Sequence, residues 1–284
     1  MYIEKSSGFL GSRDEYGSAR AVILGAPMDQ TVSFRSGARG GPAQIRMASD
    51  VLEEYSPRLD RDLADILYTD LGDVAVVHGL VEETLERIGL SVSRVLRDGK
   101  LPVMLGGEHL VSLPAVRSAA EVYPGLSVVH FDAHADLRDL YMGAALSHAT
   151  VMRRIVEIIG GENLYQFGIR SGTREEFQFA RSRANYYPGV NAGDVLRAAE
   201  KLQGRPVYVT LDIDVLDPAF APGTGTPEPG GCTPDQLFSA LEALAGLNVI
   251  GFDLVEVCPA CDQSGRTAIL AAKLVREALL IFGS

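Results

Sequence analysis

The stretch Leu126–Asp136, with the sequence LSVVHFDAHAD, decides the fold. Its first six residues are mostly apolar and include two valines, which is typical of a buried β-strand. In its last five residues, aspartate and histidine side chains, which can bind metals or transfer protons, alternate with alanine. Because alternate residues of an extended chain share one face, Asp132, His134 and Asp136 are expected to project together from the end of this strand.

Similar short apolar runs recur along the chain, at Ala21–Gly25, Pro102–Leu105, Leu164–Ile169, Pro206–Leu211 and Asn248–Leu254. Between them lie stretches with apolar residues at helical spacing, such as Glu82–Asp98, Asp194–Leu202 and Pro234–Leu244. This alternation predicts an α/β fold in which helices cover both faces of a mostly parallel sheet. No linker-like stretch interrupts it, so residues 1–284 are predicted to form one domain.

The composition favours a globular protein with a small cationic partner. Of the 284 residues, 46% are hydrophobic and 22% are charged, which is ordinary for a soluble fold. The net charge of −11 disfavours binding to nucleic-acid phosphates and favours the approach of cations. Excess surface acid also aids solubility, so the charge by itself is weak evidence for a cationic ligand.

Neither a membrane span nor export is expected. Met1–Leu10 lacks the basic start and apolar stretch of a secretory signal. The apolar tail Ile269–Phe282 contains three charged residues, so it is interpreted as a packed final helix. Three cysteines do not make an even disulfide framework, which favours a reducing cytoplasm. Cys258 and Cys261 form one C-x-x-C, interpreted as incidental loop thiols rather than a zinc or redox site.

Two other predicted strands also end in side chains that can bind metal. His109 follows one of them, and Asp212 and Asp214 follow another. Because the carboxyl ends of parallel strands meet at one edge of a sheet, these residues are expected to join the DAHAD group. Two imidazoles and four carboxylates form a natural shell for two divalent ions, although each residue alone could cap a turn. His78 and His130 lie in apolar stretches and are interpreted as structural.

Five ordered motifs carry a resemblance to a known family. They are GGEH at 106–109, FDAHADLRD at 131–139, LSHAT at 146–150, LDIDVLDPAFAPGTGTPEPGG at 211–231 and GFDLVEVCP at 251–259. Through them most of the chain resembles the ureohydrolases, which include arginase, agmatinase, guanidinobutyrase and formimidoylglutamase. The resemblance implies an arginase-like three-layer α/β/α fold that assembles as a homotrimer or homohexamer. It also implies two Mn²⁺ ions per chain, held by the six ligands suggested above: His109, Asp132, His134, Asp136, Asp212 and Asp214.

The same resemblance implies roles for residues around the metals. Glu256 would pair with the guanidinium group of a substrate, and His148 would pass a proton to the departing amine. Asp136 would act in catalysis as well as in metal binding. Thr226 and Arg138 would contact the rest of the substrate.

Two positions favour agmatine as the substrate, with putrescine and urea as products. Thr173 stands where arginases carry an aspartate for the α-amino group, and Arg138 replaces the asparagine that helps them recognise the α-carboxylate. Aminopropylagmatine or another guanidino compound stays open as an alternative. Two hypotheses from other classes also remain, namely a metal-dependent deacylase of related fold and a non-catalytic, metal-stabilised oligomer.

Overall fold

The computed structural model describes residues 1–4, 8–12 and 15–283. Its strands are β1 (Ile3–Glu4), β2 (Ala21–Ala26), β3 (Tyr55–Ser56), β4 (Arg61–Asp62), β5 (Tyr68–Val74), β6 (Leu101–Gly106), β7 (Ser127–Phe131), β8 (Leu164–Phe167), β9 (Asn185–Tyr187), β10 (Pro206–Asp212) and β11 (Asn248–Val255). Its α-helices are α1 (Gly41–Ser49), α2 (Val81–Arg97), α3 (Ser112–Val122), α4 (Val151–Ile159), α5 (Arg174–Arg183), α6 (Ala192–Leu202), α7 (Pro234–Glu242) and α8 (Arg266–Phe282).

One mixed sheet forms the middle of the molecule. Nine of the described strands pair in the order β1-β5-β2-β6-β11-β10-β7-β8-β9, while β3 and β4 form a separate antiparallel pair. The edge strand β1 runs antiparallel to β5, and the other pairings within the described sheet are parallel. The predicted parallel sheet is therefore confirmed, with one antiparallel edge.

Helices cover both faces of this sheet and enclose two apolar cores. Within β2, Ala21 and Ile23 belong to one core, whereas Val22 and Leu24 belong to the other, as the two-residue period of a strand requires. The first core includes apolar residues of α1, α6, α7 and α8, and the second includes residues of α2, α3, α4 and α5. The three-layer α/β/α architecture is thus confirmed.

The predicted elements are present with bounds that differ by at most three residues, the largest difference being at the start of the final helix. Strand β5 is not among the predicted strands, because two aspartates interrupt its apolar pattern. Asp70 and Asp73 receive hydrogen bonds from the buried Arg46 at 2.7 and 2.6 Å, so tertiary pairing compensates charges that a strand rarely carries. The final helix is α8, and within the described part of the chain no helix has the length and apolar character that crossing a membrane requires.

Candidate metal centre and active site

The predicted ligands meet at the carboxyl edge of the sheet, at the ends of three strands. In the sheet, β6, β11, β10 and β7 lie side by side, although they are far apart in the sequence. His109 begins the turn after β6, Asp132 follows β7, and Asp212 ends β10 with Asp214 in the next turn. The short side chains of these strand ends converge because parallel strands all finish at one edge.

His109 is the centre of one group of donor atoms, which we call the His109 lobe. Its Nδ1 atom lies 3.0 Å from Asp132 Oδ2, 3.3 Å from Asp136 Oδ2 and 3.4 Å from Asp212 Oδ2. His109 and Asp132 are almost completely buried, with 1% and 0% of their side chains exposed. The lobe therefore offers one nitrogen and three oxygens in a water-poor environment.

His134 is the centre of a second group, the His134 lobe. Its Nδ1 atom lies 2.9 Å from Asp214 Oδ2 and 3.6 Å from Asp132 Oδ1. The donor atoms of His134, Asp132 and Asp214 all lie within 4.8 Å of one another, which is close enough for a common metal ion. Because Asp132 turns Oδ2 to the first lobe and Oδ1 to the second, the two lobes share this carboxylate.

The hydrogen bonds of His109 test whether these residues fit a metal. Thr210 donates its hydroxyl hydrogen to Asp253 at 2.6 Å and lies 3.0 Å from His109 Nε2. Thr210 can then only accept from the imidazole, so Nε2 carries the ring hydrogen and Nδ1 presents a lone pair. Neither this Nδ1 atom nor Asp214 Oδ2 has a hydrogen-bond partner among the described residues. A lone pair that faces carboxylate oxygens is stabilised by a positive charge between them, either a proton or a metal ion, so the geometry fits a divalent metal site.

The electrostatics of the shell also favour a cation. Burial lowers the pKa of His109, but its contacts with Asp132, Asp136 and Asp212 outweigh burial and raise that pKa well above its usual value. Burial and the charge of Asp132 raise the pKa of Asp136 to about 7. Burial and the charge of Asp214 raise the pKa of Asp212 well above the ordinary range. The carboxylates thus repel one another and are stabilised by any positive charge placed among them.

A cavity of about 270 Å³ opens onto the shell. Its lining contains all the predicted site residues except Asp132 and Asp214, which lie buried beneath it. A larger surface groove of about 750 Å³ lies between α2 and α3 and has none of the predicted site residues in its lining. The chemistry of the chain therefore belongs to the smaller, polar cavity.

Glu256 lies at the wall of this cavity, directly after β11. Its carboxylate accepts a hydrogen bond from the backbone N–H of His109 at 2.8 Å. Burial and the nearby Glu108 raise the pKa of Glu256 to about 8. The backbone φ of Glu256 is 65° and that of Asp136 is 53°, a left-handed conformation that costs non-glycine residues about 1 to 3 kcal/mol. Such strain persists only where the surrounding structure enforces it, and here it occurs at two residues of the cavity.

His148 lines the same cavity at the start of a short 3-10 turn. Its Nε2 atom is 3.3 Å from Ser33 Oγ, and its Nδ1 atom is 3.3 Å from Ser147 Oγ. The ring of Tyr141 contacts it edge-on, with the centroids 5.5 Å apart. Burial lowers the pKa of His148 to about 4, so its imidazole is neutral at pH 7.

The mouth of the cavity is polar. Arg138 lies 3.5 Å from the buried carboxylate of Glu176 and stacks over Tyr141 at 4.9 Å from the ring centroid. Thr226 also lines the cavity. Thr173 has a different position, because its hydroxyl accepts from the backbone N–H of Glu176 and caps α5. Thr173 is therefore committed to the helix end.

Comparison with known proteins identifies the family. A model of the arginase family matches residues 19–281. The chain belongs to the arginase family. It is 51% identical to an agmatinase of Halalkalibacterium halodurans over 275 residues, which cover 96% of this chain and 95% of that protein. The proclavaminate amidino hydrolase of Streptomyces clavuligerus superimposes with a TM-score of 0.91 at 31% identity, covering 100% of this chain and 99% of the other. The agmatine ureohydrolase of Thermoplasma volcanium gives a TM-score of 0.86 at 35% identity, covering 98% and 94%.

In this arginase-family chain, the interpretation of His130 as a residue in apolar surroundings is wrong. Its Nε2 atom lies 2.8 Å from Asp132 Oδ2. Gln166 donates one amide hydrogen to the carbonyl of Ala135 at 2.9 Å and the other to His130 Nδ1 at 3.1 Å, so Nε2 carries the hydrogen that reaches Asp132. The two-residue spacing of His130 and Asp132 was the available signal. His78 is exposed rather than packed among apolar residues.

The loop after β2 also contributes to the site, although no regular pattern in its sequence indicates this. We call residues 27–37 the β2 loop. At Met28 it passes so close to β6 that a Cβ atom on Gly107 would lie 2.0 Å from the carbonyl oxygen of Met28. Only glycine permits this approach, and it lets Glu108 donate its backbone N–H to that oxygen at 2.7 Å. The loop is thereby held against the metal shell.

Proposed function

We propose that this chain hydrolyses agmatine to putrescine and urea, using two Mn²⁺ ions per chain. The observation that carries this proposal is that Glu256 and His148 line one cavity with the shared-carboxylate shell. A guanidinium-binding carboxylate, a proton carrier and a metal centre are the parts that amidine hydrolysis requires. The similarity to the agmatinase of H. halodurans and the agmatine ureohydrolase of T. volcanium supports agmatine in particular.

Two ions are supported by the arrangement of the lobes. Each lobe has its own imidazole, and Asp132 offers a separate oxygen to each. The oxygen-rich donor set suits a hard divalent cation such as Mn²⁺. When bound, the ions would supply Lewis-acid chemistry, which lowers the pKa of water toward about 7 and so provides a nucleophile at neutral pH.

Glu256 is proposed to hold the guanidinium. The backbone N–H of His109 orients its carboxylate, and a bidentate pair with the guanidinium would fix the plane of the substrate. Because burial raises the pKa of Glu256 to about 8, the carboxylate gains from a cationic partner that favours its ionised form.

His148 and Asp136 are proposed to handle protons. The departing amine must gain a proton before it leaves, and a neutral imidazole can accept one and then give it to the leaving nitrogen. His148 is neutral at pH 7 and lines the cavity, where the ring of Tyr141 contacts its imidazole edge-on. Asp136 lies in the His109 lobe and lines the cavity, so its carboxylate would accept a hydrogen bond from the attacking water.

The cavity mouth supports a substrate without an α-amino acid head group. Thr173 is uncharged and occupied in capping α5, so it offers no partner for an α-ammonium. Arg138 is paired with Glu176, which leaves the mouth roughly neutral, and Thr226 would contact the aliphatic tail. Aminopropylagmatine shares these features and is the main rival substrate.

The assembly and the compartment are also proposals. We propose that residues 1–284 form one domain that assembles as a homotrimer or homohexamer in the cytoplasm, in line with the resemblance to ureohydrolases. Light scattering of the purified protein measures the assembly directly.

A substrate panel tests the proposed function. The protein reconstituted with Mn²⁺ is incubated with agmatine, aminopropylagmatine, arginine and an acetylated polyamine, and urea and free amine are measured. Equal amounts of urea and putrescine from agmatine are expected. Deacetylation without urea would support the deacylase instead, and bound metal without turnover of any compound would support a non-catalytic oligomer.

A further inference from the structure

The β2 loop contacts His148 at Thr31, and the proposed function does not use this contact. The hydroxyl of Thr31 accepts a hydrogen bond from the backbone N–H of His148 at 3.1 Å. His148 begins a 3-10 turn, so its N–H has no acceptor within the turn and requires one from elsewhere. Thr31 supplies that acceptor from a residue 117 positions away in the sequence.

Glu108 fixes the direction of the Thr31 hydroxyl. The carboxylate of Glu108 is completely buried, and it accepts from the backbone N–H and from the hydroxyl of Thr31, each at 2.9 Å to Oε2. A hydroxyl has one hydrogen, and here it is donated to Glu108. The oxygen lone pairs of Thr31 are therefore the part that faces His148.

The consecutive residues Glu108 and His109 thus fix the proposed proton carrier, His148, and the proposed guanidinium ligand, Glu256. Glu108 reaches His148 through Thr31, while the backbone N–H of His109 binds the carboxylate of Glu256 at 2.8 Å. Because Glu108 and His109 are joined by one planar peptide bond, they leave little freedom between these two contacts. We propose that Thr31 and Glu108 are positioning residues that set the place of His148 relative to the guanidinium bound at Glu256.

This inference rests on the proposed role of His148 as the proton carrier. Thr31 itself is not part of the cavity lining, so its effect must pass through His148 rather than through contact with the substrate. The expected consequence of its loss is a lower kcat with little change in KM, because a proton carrier displaced by about 1 Å costs on the order of 100-fold in rate without weakening substrate binding.

A double-mutant cycle with agmatine as substrate tests the inference. Thr31→Val keeps the shape and removes the hydroxyl, and it is expected to lower kcat about 10- to 100-fold while KM stays within about twofold. Thr31→Ser retains the hydroxyl and is expected to stay within about threefold of the parent kcat. In a His148→Ala background, Thr31→Val should change kcat by less than about twofold, because there is no imidazole left to position.

Metal content and thermal unfolding are measured for every variant. If Thr31→Val lowers kcat equally in both backgrounds, the hydroxyl acts independently of His148 and the inference is overturned. A Thr31→Val chain that loses its metal or fails to fold, while Thr31→Ser is normal, would show a structural role and overturn it as well. If His148→Ala alone keeps full activity, the proposed proton carrier is wrong and the inference falls with it. If His148→Ala strongly lowers kcat and the effects of Thr31→Val and His148→Ala simply add, only the positioning role of Thr31 is refuted, and the role of His148 as proton carrier stands.

Discussion

A substitution at Thr210 tests the metal centre without changing any of the predicted ligands. The hydroxyl of Thr210 accepts from His109 Nε2 at 3.0 Å and donates to Asp253 at 2.6 Å, and all three residues are buried. Thr210→Val keeps the volume of the side chain, but it leaves the imidazole N–H of His109 without its acceptor and removes one hydrogen bond to Asp253. A buried polar group that loses its partner costs about 1 to 3 kcal/mol.

We therefore expect Thr210→Val to lower the free energy of unfolding of the metal-free protein by about 1 to 3 kcal/mol. Because His109 is then free to rotate, the affinity for Mn²⁺ should fall about 10- to 100-fold. Urea titrations and competition with a chelator measure the two quantities. Ser127→Ala is the matched control, since it removes a buried hydroxyl of β7 that has no partner among the described residues. If Thr210→Val and Ser127→Ala behave alike in both assays, the hydrogen-bond argument for the orientation of His109 is refuted.

Two other predictions concern the ligands and the substrate. Asp132→Asn should reduce the metal content of the purified protein, because Asp132 contributes an oxygen to both lobes. Cys258→Ser and Cys261→Ser should leave the metal content unchanged. Elemental analysis compares the three variants, and metal loss in either cysteine variant would contradict the site. Agmatine should have a kcat/KM about tenfold to a hundredfold above that of arginine, which corresponds to one missing charged contact of about 1.5 to 3 kcal/mol at Thr173. Steady-state urea assays at saturating Mn²⁺ decide this, and arginine as the better substrate would rule out the agmatinase-type assignment.

The grouping of the predicted ligands could be foreseen from the sequence, because their pattern depends on local geometry. Alternation places Asp132, His134 and Asp136 on one face of the chain, and parallel strands bring the ends of β6, β7 and β10 to one edge. The same two-residue spacing applied one step earlier would have placed His130 on that face beside Asp132, although the neighbours of His130 in the sequence are apolar.

The parts that could not be predicted depend on contacts between distant residues. The left-handed φ of Asp136 and Glu256 depends on their surroundings, because no glycine marks either position in the sequence. The link from Glu108 through Thr31 to His148 joins three segments, and only the packing of the β2 loop against Gly107 brings them together. Strand β5 could not be predicted for a similar reason, because the charges of its aspartates are compensated by Arg46, which is distant in the sequence.

The clustered, buried carboxylates that favour metal binding also lower the stability of the metal-free protein, and Asp212 allows this conflict to be measured. Burial together with the charges of Asp214 and Asp132 raises the pKa of Asp212 well above its usual range. A raised pKa in the folded state means that the stability of the metal-free protein falls as the pH rises above about 4, the unfolded value.

Asp212→Asn removes this titration and still accepts a hydrogen bond from Asp214 N–H, which Asp212 receives at 2.8 Å. We expect the substitution to stabilise the metal-free protein, and to do so increasingly toward neutral pH. In saturating Mn²⁺ the sign should reverse, because metal at about 1,000 times its Kd stabilises the parent by about 4 kcal/mol and the variant has lost a ligand. Thermal unfolding of both proteins at about pH 5 and pH 7.5, with and without Mn²⁺, gives the four comparisons. If Asp212→Asn lowers stability equally with and without metal, the carboxylate is an ordinary structural group, and the view of the shell as a strained cation site is wrong.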